Sequence, residues 1–211
     1  MENTYLKATY FIDCDHPKVV RYATKITAHC NTAKAKIIAL FIAVRDGYFY
    51  NPYHLDLRPQ TLKASNILTR QSAYCIEKAI LLCAAIRAVQ LPARLHFGDV
   101  KNHIAVDRLL EKLQTNVLAF HGCTEVFLEN RWIKITPAFN KSLCEKLGVP
   151  VLEFDGTNQA IFQQYSNDGT NFMEYLKEYG SYDDLPYARM LLSFKENYPH
   201  IQFPDNLILE L

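Results

Sequence analysis

The stretch QSAYCIEKAILLCAAIRAVQLPARL, from Gln71 to Leu95, constrains this chain more than any other. Its spacing predicts a strong amphipathic helix, capped by Ser72 and running to about Gln90. The helix stops before Leu91-Pro92, because the residue preceding a proline resists helical geometry. Cys75 then falls in the first turn and Cys83 two turns further in. Next, ARLHFGDV alternates as a strand, with Arg94, His96 and Gly98 against Leu95, Phe97 and Asp99.

The remaining pattern places helices first and strands after. Pro17 to Asn31 reads as a helix, with Pro17 suited to its first turn. Thr32 to Arg45 reads as a second, N-capped near Asn31 or Thr32 and ended by Asp46-Gly47. YFYNPYHLDLRP is a loop or short strand. NVLAFHGCTEVFLENRWIKITPAFN predicts two strands joined at Glu129-Asn130 or Asn130-Arg131. A short helix (Lys141 to Leu147), a loop and a helix near Phe172 to Tyr179 follow. This order predicts an α+β fold with an antiparallel sheet.

At 211 residues, the chain is long enough for a substantial core, and it reads as a single domain over 1–211. With 49% hydrophobic and 21% charged residues, the composition is globular, and a formal charge of +1 argues against nucleic acid or an anionic membrane as partner. The N-terminus lacks a basic start and an apolar core, so it is no signal peptide, and Ala35 to Val44 is too short to span a bilayer. These features predict a cytoplasmic protein. The six cysteines include no C-x-x-C pair and should be free thiols in a reducing compartment. No calcium loop, phosphate loop or dinucleotide fingerprint is present, so neither metal nor cofactor is expected.

Cys75 poses the chemical question. In the first helical turn, unpaired N–H groups and the helix dipole favour an anion, which lowers a thiol's pKa. The same amides can stabilise an oxyanion. The alternative is a small buried core residue, and this stretch by itself leaves both open. A thiolate nucleophile needs a base. His121 lies in the first strand of the hairpin, sharing a face with Cys123, Glu125 and Phe127, with residue 136 diagonal to it across either two-residue loop. Taken alone, His121 reads as a structural strand histidine.

Here the sequence resembles a known family. YCIEKAILLCAAIRAVQLPARLHFGDV is similar to the cysteine-bearing segment of the transglutaminase-like superfamily. HGCTEVFLENRWIKITP resembles its histidine segment: a histidine, an acid four residues later, then a tryptophan and a proline. ALFIAVRDGYFY is similar to the helix preceding the core. The resemblance covers roughly Pro17 to Asn140, which implies a core of about 17–140 with a C-terminal extension of about 141–211, and the ending TPAFN…LC…GV…LEFDG resembles a bacterial branch described as candidate cysteine proteases.

The resemblance implies a papain-like core, with N-terminal helices and the nucleophile helix packed on an antiparallel sheet. It also implies a Cys-His-Asp triad. Carried over, Cys75 is the nucleophile and His121 the base, while the acid position falls at Thr136, where the family has aspartate. A threonine hydroxyl can orient the imidazole but supplies no charge. Asn140 is an alternative orienter, since it faces His121 if the hairpin turns at Asn130-Arg131. Asp155 is a third candidate.

Glu77 and Lys78 read as an exposed helix face, Arg87 and Arg94 as ties to loop carbonyls or carboxylates, and Trp132 as packing across the hairpin. Asp99, Asn102 and His103 read as turn chemistry, and Tyr74 as a neighbour that can shape the oxyanion site. Two functions follow. In one, Cys75 attacks an amide or peptide carbonyl of a peptide or protein substrate through a low-pKa, accessible thiolate, with His121 as base. In the other, the domain is a non-catalytic binding or scaffold module whose acid has been lost at Thr136.

Overall fold

The computed structural model describes residues 3–103, 107–162, 166–170 and 172–211. Seven helices are assigned among these residues: α1 (Pro17–Thr27), α2 (Ala33–Gly47), α3 (Ala64–Ile67), α4 (Cys75–Ala88), α5 (Asp107–Leu113), α6 (Lys141–Leu147) and α7 (Tyr187–Asn197). The strands are β1 (Phe49–Tyr50), β2 (His54–Asp56), β3 (Ser72–Ala73), β4 (Ala93–Asn102), β5 (Val117–Leu128), β6 (Arg131–Ile135), β7 (Met173–Tyr182) and β8 (Ile208–Glu210). Four of them form an antiparallel sheet in the order β6-β5-β4-β7. β1 pairs with β3, and β2 with β8. The α+β expectation holds. No helix among the described residues is long and apolar enough to cross a membrane.

α4 is the centre of the molecule. It packs on β5 and β4 on one side and on α1, α2 and α3 on the other. Amphipathic spacing predicts one wet face, yet every residue from Cys75 to Arg87 is buried. The reason is tertiary: helices cover the side that the sheet leaves open. Glu77 and Lys78, expected at the surface, are therefore interior and are satisfied by specific partners. Lys78 donates to the carbonyls of Arg45 (2.8 Å), Tyr48 (2.9 Å) and Ala138 (2.8 Å). Three acceptors match the three N–H donors of an ammonium, while burial pushes its pKa down to about 7. Arg87 does the analogous work at the far end, donating to the carbonyls of Ala93, Lys7 and Asp183.

The start of α4 also differs from the sequence reading. Ser72 and Ala73 pair with β1, and the helix begins at Cys75 with Tyr74 as its N-cap. α1 ends at Thr27 instead of Asn31, whereas Thr32 caps α2 as predicted, its Oγ1 accepting the Ala35 N–H at 3.1 Å.

The hairpin turns at Glu129-Asn130, both at positive φ (50° and 61°), the two-residue geometry that matches strand twist. The helix predicted near Phe172 to Tyr179 is instead strand β7. Its composition suits a helix, but pairing with the free edge of β4 overrides that local preference. This pairing needs Gly98, because a Cβ there would stand 2.7 Å from the Lys177 carbonyl and 2.8 Å from the Tyr175 ring. The last thirty residues, which local patterning does not place, form α7 and β8.

Replacing Lys78 with methionine leaves three buried carbonyls without their donor. We expect a loss of about 3 kcal/mol or more in chemical denaturation, whereas an exposed lysine would give under about 0.5 kcal/mol.

Candidate active site

Cys75 is the first residue of α4. The helix entry is held by Glu77, whose Oε2 accepts the Tyr74 N–H at 3.1 Å. Arg70 pairs with the same carboxylate and donates to the Thr61 carbonyl at 2.6 Å. Burial raises the Glu77 carboxyl to about 7, against the pull of Arg70.

Gly122 of β5 lies directly on this turn. A Cβ at 122 would stand 3.1 Å from the Ile76 Cα and 3.2 Å from the Phe97 ring. The glycine therefore lets strand backbone reach the helix N-terminus. The expected low-pKa thiolate does not result. Burial pushes Cys75 up to about 11, although the backbone N–H groups of Gly122, Ile76 and Cys75 itself pull it down. Only 8% of the residue is exposed, and that burial favours the protonated thiol. Desolvation outweighs the helix terminus. Sequence reasoning missed Tyr50, whose phenol neighbours the thiol; it sits in the aromatic run read as a loop or short strand, in what is strand β1, with no periodic signal to single it out.

His121 follows a distortion. Phe120 has φ 56°, a costly region for a bulky residue, and the β4–β5 register shifts between Gly98 and Val100. Asp99 supports this bulge. It is not in a turn: its Oδ1 accepts the Phe120 N–H and its Oδ2 the Tyr179 hydroxyl, both at 2.9 Å. Thr124 and Gly122 face α4, with Thr124 Oγ1 donating to the Ala79 carbonyl at 3.0 Å. By alternation, the His121 side chain leaves the other face. It lines a small cavity of about 10 Å³ with Thr136, Phe139, Leu152, Phe162 and Met173. Burial lowers its pKa to about 4. Neither ring nitrogen, nor Thr136 Oγ1, has a hydrogen-bond partner among the described residues.

The structure thus brings His121 and Thr136 to one cavity, as the hairpin register predicts, and sets Cys75 in a different cleft that shares no lining residue with it. No hydrogen bond joins thiol and imidazole. Asn140 is committed elsewhere. Its Oδ1 accepts the Tyr50 N–H at 3.0 Å and its Nδ2 donates to Ser142 at 2.8 Å. The turn at Glu129-Asn130 also removes the condition that would align it with His121. Asp155 closes an exposed turn on the N–H groups of Thr157 and Asn158. Arg94 pairs with Glu125 and lies 4.0 Å over the Trp132 ring, which packs on Phe127 across the hairpin. Among the described residues, no group of three or more His, Cys, Asp or Glu could hold a metal ion.

Two pH effects on stability follow. The folded pKa of His121 lies below its unfolded value near 6.5, so its contribution is full above pH 6.5 and is lost as pH falls toward 4. The shift corresponds to about 3 kcal/mol. Glu77 runs the opposite way, its raised pKa contributing below 4.5 and fading as pH rises through 7. Urea unfolding of wild type and His121→Gln from pH 4 to 8 separates them. The wild-type advantage should shrink toward acid, and a pH-independent difference would contradict a buried neutral imidazole.

The comparisons agree with this architecture. The sequence model of the transglutaminase-like superfamily matches residues 20–137. No curated protein gives a significant match. Among solved structures, a "putative cysteine protease" from Cytophaga hutchinsonii aligns with a TM-score of 0.53 at 20% identity, covering 88% of this chain and 48% of that one. The chain therefore spans about half the length of that protein. A "putative protease" from Parabacteroides distasonis aligns with a TM-score of 0.39 at 11% identity, over 59% of this chain and 25% of that one. With more than half of its residues inside the family match, the chain belongs to the transglutaminase-like superfamily.

Proposed function

We propose that this protein is a thiol enzyme of acyl transfer or hydrolysis at amide or peptide bonds, with Cys75 as nucleophile and His121 as base. The observation that carries this reading is the setting of Cys75. Its sulfur lies at a helix N-terminus, under three backbone N–H groups and on the wall of an apolar cleft. Those amides suit the oxyanion of an attacked carbonyl.

The resting pair is neutral, so activation is by general base. As sulfur bonds to the carbonyl carbon, its proton passes to the imidazole. When the C–N bond breaks, that proton goes to the leaving amine. Water or a second amine then releases the acyl group from the thioester. Because His121 leaves the face of β5 opposite α4, this step requires the imidazole to move toward the sulfur; its nitrogens have no hydrogen-bond partner among the described residues, so none has to be broken. Thr136 occupies the acid position as an uncharged orienter. The proposal includes a cytoplasmic location, where six unpaired cysteines stay reduced.

A second reading, a non-catalytic binding module, is favoured by the protonated, largely covered thiol and by the absence of a Cys75–His121 hydrogen bond.

Acylation of Cys75 by activated aryl esters of N-acetyl amino acids, followed by mass spectrometry, decides between them. Cys75→Ala should abolish the adduct, and His121→Ala should slow its formation about 10²–10⁴-fold. Thr136→Asp, by stabilising the imidazolium, should raise the rate about tenfold or more. An acylation rate unchanged in His121→Ala would leave the binding module as the answer.

A further inference from the structure

The cleft beside Cys75 holds about 60 Å³ of free space and opens to solvent, several times what one buried water needs. Among the described residues its lining carries no charged side chain. Leu55, Leu109, Leu113 and Leu118 form one part. Phe194, Tyr198, Ile201, Phe203, Leu209 and Leu211 form another, and all six lie beyond residue 137, where the family match ends. The one hydroxyl of this second group is already used: Tyr198 accepts the Ala119 N–H at 2.8 Å and donates to the Val117 carbonyl at 3.0 Å.

The C-terminal end of the wall is held in place. β8 pairs with β2, the Leu211 N–H donates to the Tyr53 carbonyl at 2.7 Å, and Arg108 donates to the Leu211 carbonyl at 3.2 Å. The cleft is thus a built surface with a sulfur in its wall. Tyr50 and Tyr74 also line it, and the Tyr74 hydroxyl, without a hydrogen-bond partner among the described residues, is its polar exception; a charged side chain entering the leucine- and phenylalanine-lined part would lose water without gaining an ionic partner, whereas an apolar one gains by burial.

We propose that this cleft selects a substrate whose acyl side carries a bulky, uncharged apolar side chain of the leucine or phenylalanine type, and that the C-terminal segment from α7 to β8 sets that choice. This rests on the reading of Cys75 as the nucleophile.

The test uses the whole protein and a series of N-acetyl dipeptide chloromethyl ketones bearing Leu, Phe, Gln, Glu or Lys at both positions. The rate of Cys75 alkylation is read by mass spectrometry. Leu and Phe probes should react about tenfold faster or more than the Gln, Glu and Lys probes. Leu211→Lys should weaken the preference for Leu and favour Glu. Equal rates across the series, a preference for a charged probe, or a Leu211→Lys profile identical to wild type would overturn the pocket assignment while leaving the thiol chemistry standing. Failure of every probe to label Cys75 would remove the nucleophile itself, and the assignment with it.

Discussion

The contact on which this structure depends is the seating of the first turn of α4 against the backbone of β5 at Gly122. A helix buried on all sides has no solvent to satisfy its polar groups, so each must find a protein partner. Glu77 is held by the Tyr74 N–H and Arg70, Lys78 by three carbonyls, and Arg87 by three more. These ties draw the segment before α4, the end of α2, the loop after the hairpin and the N-terminal segment onto one element. The absence of a side chain at Gly122 then allows the sheet to close on the helix terminus.

The same burial shapes the chemistry. A helix N-terminus favours a thiolate, but desolvation favours the thiol, and here desolvation prevails. The imidazole is pushed in the complementary direction, toward its neutral form. Both shifts favour the neutral forms, the thiol at Cys75 and the free imidazole at His121, which is what the proposed general-base reaction requires. A family aspartate in place of Thr136 would favour the imidazolium and so shift that balance. The threonine is consistent with a site whose resting state carries no charge.

The segment beyond the family match contributes where a core alone would not suffice. β7 covers the edge of β4, leaving Gly98 no room for a side chain. The Asp99–Tyr179–Ser193 chain then links β7 and α7 to the bulge that precedes His121. α7 and β8 complete the apolar wall beside Cys75. The extension therefore both supports the strand that carries His121 and shapes the space next to Cys75.

The sequence by itself determined the α+β class, the helix that begins near Cys75, the hairpin that pairs Thr136 with the face of His121, and the family. The first three are encoded in short-range spacing: a capped apolar run, strand alternation, a two-residue turn; the family is carried by the resemblance of the cysteine and histidine segments. It could not decide that α4 is buried all round, because that depends on which distant helices cover its second face. It made a helix of β7, because a free sheet edge outweighs local propensity and is invisible along the chain. It left Asn140 open as a partner for His121, and a turn one residue away from the alternative, together with the Tyr50 N–H, engaged it elsewhere. Tertiary structure alone decided the protonation of Cys75 and His121, since a pKa in an interior is set by the water that packing removes.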